Sequence, residues 1–408
     1  MVMVNRRGES GAVSLFLVIF AMLLITIVTL SFLRTMINDQ QQASAADLSQ
    51  SARDSALAGI EDAKRELIYY RTLCSTGDVD ACGNAKTSIS QNACNAGLGD
   101  VVSLIPGRET EEVPVQQSQS STNDKRLNQY YTCVKMALET VDYKGYAAAN
   151  KSRLIPLKST AAITSVTIQW YLPEDLGSTS KAVNLLGETS ADTAKPLYQQ
   201  AKWVAARPSL LRVQLMQFGS DDPTSGFTLS DFDKNDDSNA INSNANTIFL
   251  YPVKRAVASS ANVSYAIASE DTRQIASGSP KKTRCLADLS GGGYACTATL
   301  TLPQAIGQTN DKRTAYLRIT PLYNATNFRV TLGSADPVGT PIVMFDGVQP
   351  AIDSTGRAND LYRRIESRVD LTDTSFPFPE AAVDLTSELC KDFIVTATAG
   401  EAQNNCSL

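Results

Sequence analysis

An α+β chain is predicted: one long N-terminal helix, apolar enough at first to cross a membrane, then a large β-rich, disulfide-bonded head built as an antiparallel sheet or sandwich. Three observations predict it. Gly11 to Leu33 runs 23 residues without a charge. Residues 34–70 contain no proline and a single glycine, Gly59, and keep a helical period. From about residue 161, short alternating segments between Gly-, Asp- and Asn-rich connections dominate, and all eight cysteines lie beyond residue 70.

The apolar run comes first. A helix of that length spans about 34 Å, enough for a bilayer core. A cleaved signal peptide would have a shorter apolar core and a nearby small-residue cut site. Neither is present, so a retained anchor is the better reading. Arg6 and Arg7 precede the run with only Glu9 opposing them, whereas Arg34 after it is offset by Asp39 and Asp47. The positive-inside rule therefore places the N-terminus in the cytoplasm and the head outside. Gly8-Glu9-Ser10 does not continue a twin-arginine signal.

The helix should not stop at the membrane. Ala45, Leu48, Ala52, Ala56, Ile60, Ala63 and Leu67 recur every three or four residues, one stripe of an α-helix. Continuous helix over 12–70 would be about 88 Å long. A stripe this rich in alanine lets its partner come close. Two readings stay open: a stalk docking on its own domain, or a helix packing in a filament.

Composition narrows the chemistry. The chain has no histidine, which removes Ser-His-Asp and Cys-His catalysis, His-ligated metals and histidine pH switching. No Walker loop, dinucleotide fingerprint or GxSxG is present, and no enzyme is expected. A net charge of −5 without long basic runs gives no reason to bind nucleic acid. An even number of cysteines with no CxxC pair suits disulfides in an oxidising compartment. Cys285 and Cys296 flank a glycine turn, and Cys390 with Cys406 would tie down the C-terminus. Cys74, Cys82, Cys94 and Cys133 allow three pairings, all open.

The expected organisation is a basic leader over 1–11, a transmembrane helix over 12–33, its amphipathic continuation over 34–70 and a cysteine-bearing polar region over 71–160. A β-rich head over 161–386 and a C-terminal segment over 387–408 follow. Asn123 to Tyr146 has helical character through Tyr131, Val134, Leu138 and Val141, while Val113 to Asp124 reads as loop. Val166, Ile168, Trp170 and Leu172 alternate with polar residues, as in a half-buried strand. Further strands are expected near 209–218, 246–254, 263–269, 294–302, 314–322, 326–332 and 341–346. Arg364, Glu366, Arg368 and Asp370 alternate in charge on what reads as a solvated sheet face.

Asp231, Asp233, Asn235 and Asp237 stand at alternate positions and offer a weak calcium site, because that ion collects six to eight oxygens. The match to an EF-hand is partial: Asp236 stands where that loop needs glycine, and Asn242 where it needs a bidentate glutamate. No other cofactor is expected. Asn150-Lys-Ser and Asn262-Val-Ser match glycosylation sequons.

A basic leader ending in glycine, an unbroken apolar helix, an amphipathic continuation and a β-rich head resemble the type IV prepilin plan. Arg7-Gly8-Glu9-Ser10-Gly11-Ala12-Val13-Ser14-Leu15 looks like a prepilin leader junction. Ser51 to Ala63 is similar to the alanine-rich segment of PilX-type minor pilins, and Asp353-Ser354-Thr355-Gly356-Arg357 with Leu361 to Leu371 looks like their closing hairpin. The resemblance covers about 80 residues by this reading. It implies peptidase processing after Gly8 or Gly11, and a minor, tip-suited pilin or pilin-derived adhesin. Its partners would be the membrane, other pilin-like subunits and a host or neighbouring-cell surface. Major pilins carry glutamate at the fifth mature position; here Val13 or Phe16 would stand there, so insertion within a growing filament should be poor. The alternative is a permanently anchored surface protein with an adhesive ectodomain and no filament role.

Overall fold

The computed structural model describes residues 10–91, 93–99, 112–115, 128–177, 179–187, 203–218, 245–255, 262–267, 280–306, 314–334 and 343–371. In chain order its α-helices, among the described residues, are α1 (Ser10–Ser75) and α2 (Val79–Ile89). The first strands are β1 (Val113–Pro114), β2 (Gln129–Thr140), β3 (Tyr143–Ala147), β4 (Arg153–Pro156), β5 (Ile163–Trp170) and β6 (Leu186–Gly187). Next come β7 (Leu210–Phe218), β8 (Ala245–Lys254), β9 (Val263–Ala266), β10 (Lys281–Cys285) and β11 (Cys296–Ile306). The last are β12 (Thr314–Leu322), β13 (Thr326–Gly333), β14 (Phe345–Ala358) and β15 (Leu361–Arg368). The chain divides into two compact units, one of residues 1–136 and 352–367, the other of 137–351 and 368–408.

The first unit is a helix on a sheet. α1 is one element of 66 residues, about 99 Å long. Ala52, Ser55, Ala56, Gly59, Ile60, Ala63, Leu67 and Tyr70 are buried at helical spacing, while Arg53, Leu57, Glu61 and Arg65 stay exposed. They face a four-stranded sheet of order β1-β2-β14-β15. Small residues make the approach close. A Cβ on Gly356 would strike the helix backbone at the Ala52 carbonyl, the Ala56 amide and Ser55. A Cβ on Gly59 would stand 2.8 Å from Val134 Cγ2 and 3.1 Å from Tyr131 Cγ. For residues 52–67, then, the alanine stripe serves the stalk's own domain; Ala45 is exposed and Leu48 half-buried.

Polar groups are placed with equal care. The Tyr131 hydroxyl donates to Asp62 Oδ2 at 2.9 Å, and Arg65 Nη1 to Asp62 Oδ1 at 2.9 Å. Asp78 caps α2 by accepting from the Ala81 amide at 2.9 Å. Asn95, at φ 61°, exchanges hydrogen bonds with the Val134 backbone: its side-chain oxygen accepts at 2.8 Å and its amide donates at 2.9 Å. Disulfides join Cys74 to Cys82, tying the last turn of α1 to α2, and Cys94 to Cys133 on β2.

Two expectations are corrected here. Residues 129–140 form β2 and 143–147 form β3, not a helix. Val134, Met136, Leu138 and Thr140 are buried at alternate positions, the period of a strand. Tyr131, Val134 and Leu138 lie three and four apart and are all buried, so their spacing mimicked a helical stripe. Val113 and Pro114, read as loop, pair with Tyr131 and Tyr130 as β1.

The second unit is an 11-stranded mixed sheet whose main path is β3-β13-β5-β11-β10-β8-β7-β12-β4. Antiparallel ladders dominate, with parallel pairs β8–β10, β9–β11 and β6–β8. The end strands of that path, β3 and β4, are consecutive in the chain and joined by residues 148–152, so the sheet curls back on itself. Arg153 Nε donates to the Tyr146 carbonyl across the closure at 3.0 Å. Inward residues of β5, β7, β11, β12 and β13 fill the interior around Trp170, Leu215, Leu300, Leu317 and Phe328, all fully buried. The Trp170 indole donates to the Ser209 carbonyl at 3.1 Å, which removes the cost of burying its N–H. Cys285 and Cys296 form a disulfide at the one residue pair that links β10 to β11. Cys390 and Cys406 lie outside the described residues.

Candidate functional site: an exposed apolar helix

Among the described residues, the outstanding surface is the N-terminal half of α1. Leu15 to Asp47 is exposed on every face. Phe16 is 77 % exposed, Phe20 66 % and Phe32 69 %. This is the one described helix long and apolar enough to cross a membrane. A soluble monomer seldom leaves so much contiguous apolar surface in water. Three hydroxyls within it are satisfied locally. Thr26, Thr29 and Thr35 return their hydroxyls to the carbonyls of Met22, Ile25 and Ser31 at 2.7, 2.7 and 3.1 Å. With the backbone bonded internally as well, the charge-free run up to Leu33 makes little demand on water, which is the condition for lying in lipid or among other apolar helices.

Further along the first unit, the β14–β15 hairpin turns at Asn359, φ 51°. Arg357 Nη2 donates to Glu112 Oε2 at 2.6 Å and its guanidinium lies 4.9 Å over the Tyr130 ring. The bond to Glu112 raises the Arg357 pKa further. On the outer face of β15, Arg364 grips Asp353 through two bonds of 2.7 and 2.6 Å and reaches Glu366 at 3.2 Å. These contacts make a solvated, charge-paired sheet face.

In the second unit, the turn between β2 and β3 holds Asp142, 2 % exposed. It accepts from Arg329 Nε at 2.8 Å and Arg368 Nη2 at 3.2 Å, with Lys144 Nζ 3.7 Å away. Beside it the Tyr143 hydroxyl donates to Asp370 Oδ2 at 2.7 Å; burial first, and that bond second, push the phenol pKa well up. Gln349 bonds both the amide and the carbonyl of Lys144, at 2.9 and 2.8 Å, in the manner of a neighbouring strand. Distant stretches of chain are clasped here.

Of the residues singled out in the sequence, Gly11 lies in the first turns of α1, and Gly8 lies outside the described residues. Asp231, Asp233, Asn235 and Asp237 also lie outside them. Among the described residues no group of three acidic or cysteine side chains is placed to hold a metal. The close seat of Gly356 on α1 and the Asp142 clasp were missed in the sequence. Glycine in the middle of an otherwise strand-like run was the available signal for the first; nothing local signalled the second. No family model matches the chain, and no curated protein or solved structure is significantly similar to it.

Proposed function

We propose that this chain is a minor, pilin-like subunit of a type IV pilus system, anchored by α1 with its N-terminus in the cytoplasm and presenting its β-rich head outside for adhesion or for starting assembly. The observation that carries the reading is that a single unbroken helix is apolar and uncovered over one half and seated on a small-residue sheet over the other. Such a helix leaves lipid only for an equally apolar surrounding, and a bundle of like helices in a filament core supplies one. Since Ala52 to Leu67 already serve the chain's own sheet, packing with neighbours falls to the segment before Asp47. Without a fifth-position glutamate the subunit belongs at an initiating or tip position. Mass spectrometry of sheared pili tests this. A mature N-terminus at Glu9 or Ala12, at low copy relative to a major subunit, is expected. An intact Met1 confined to the membrane fraction would replace the reading with that of a permanently anchored surface protein.

A further inference from the structure

We propose that β15 is a self-complementary edge through which two copies of this chain, facing each other from opposite surfaces, join their sheets. β15 ends the four-stranded sheet, and its outer side has no hydrogen-bonded neighbour among the described residues. It is eight residues long, with neither proline nor glycine to block a further strand. Beyond its end, the Val369 and Leu371 amides donate to the Pro350 and Val348 carbonyls of β14. Odd-numbered residues therefore turn their backbone groups inward to β14, and by alternation Tyr362, Arg364 and Glu366 turn theirs to the free edge.

The side chains choose the partner and the register. A second copy can pair antiparallel about a two-fold axis normal to the sheet, the isologous arrangement. Centred on Arg364 or on Glu366, the register sets that residue against its own copy, like charge against like. Centred on Ile365, it sets each Arg364 against the Glu366 of the other copy, twice. Both side chains are largely solvent-exposed, 63 % and 75 %; within one copy Arg364 already holds Asp353 and reaches Glu366 at 3.2 Å, and the pairs across the axis extend that charge network. The register centred on Ile365 is thus favoured over the two centred on Arg364 and Glu366.

The same axis fixes the geometry of the encounter. Gly356 sits at Ala52–Ala56 and Ser354 at Gly59, so α1 runs along the sheet, opposite in sense to β14. A two-fold normal to the sheet reverses α1 together with β15. Two copies in one membrane direct their helices the same way and are excluded. Copies on two apposed surfaces satisfy the axis. This last step rests on the anchored, outward-facing head proposed above; it does not need the pilus.

Full-length protein reconstituted head-outward in phosphatidylcholine vesicles provides the test, with clustering followed by light scattering. Wild-type vesicles should cluster, many weak pairs acting together. Arg364→Glu vesicles alone and Glu366→Arg vesicles alone should stay dispersed. Mixed together they should cluster, because opposite charges face each other again, and that rescue also shows both variants to be folded. No clustering by wild type, clustering unchanged in both single variants, or a mixture that stays dispersed would each overturn the proposal. A chain that clusters vesicles yet is missing from sheared pili keeps this inference and loses the pilus reading.

Discussion

Gly356→Val should loosen α1 from its sheet and cost the first unit about 3 kcal/mol, the upper end for overpacking, because what the new side chain meets is helix backbone and not a side chain that can turn aside. The Ala52 carbonyl and the Ala56 amide both lie where its Cβ must go. Either the helix moves away, exposing Ile60 and Leu67, or β14 twists and gives up pairing with its neighbours. Hydrogen exchange read by mass spectrometry on the full chain in detergent should show lost protection over residues 52–67. Gly356→Ala should act in the same direction with a smaller effect. Unchanged exchange in both variants would mean that the helix does not depend on this close seat.

Asp142→Asn is expected to cost the second unit about 2–3 kcal/mol. Removing one partner of a buried ion pair usually costs about 3–5 kcal/mol. The figure is lowered here because the Arg329 and Arg368 side chains keep 35 % and 31 % exposure and are partly solvated. The amide leaves the guanidiniums facing each other without the charge that held them. Urea unfolding followed by tryptophan fluorescence reports on this unit, since Trp170 and Trp203 both belong to it. Adding Arg329→Gln should return part of the loss, the sign of a coupled pair. A single variant as stable as wild type would reduce the clasp to a solvated surface contact.

Much of this architecture was legible in the residues. A 23-residue run without charge identifies a helix suited to lipid whatever follows it. The alternation around Val166, Ile168 and Trp170 marks β5 because each buried residue is separated by one polar residue. Residues 129–140 misled because Tyr131, Val134 and Leu138 satisfy a helical spacing by coincidence; Met136 between the last two was the sign of a strand. The alanine stripe showed that something packs closely on α1, but its partner is glycine 356, some 300 positions away by sequence, and local pattern carries no such pairing. Asp142 draws its cations from positions 144, 329 and 368, which only the folded sheet brings together. The joining of Cys94 to Cys133 is of the same kind, since spacing alone left three pairings for the first four cysteines.

In the arrangement proposed, one helix is embedded in a membrane by its first half and stands outside it by its second. Impermeant maleimide labelling of spheroplasts from cells without prepilin peptidase activity, in which the leader is kept, tests this most directly, using Asn5→Cys before the apolar run and Glu61→Cys on the exposed face of the docked half. The position-61 variant should be labelled in intact spheroplasts, the position-5 variant only after lysis, and both proteins should stay in the membrane pellet through an alkaline wash. Labelling of position 5 with protection of position 61, or release of the unlabelled protein by the wash, would contradict it.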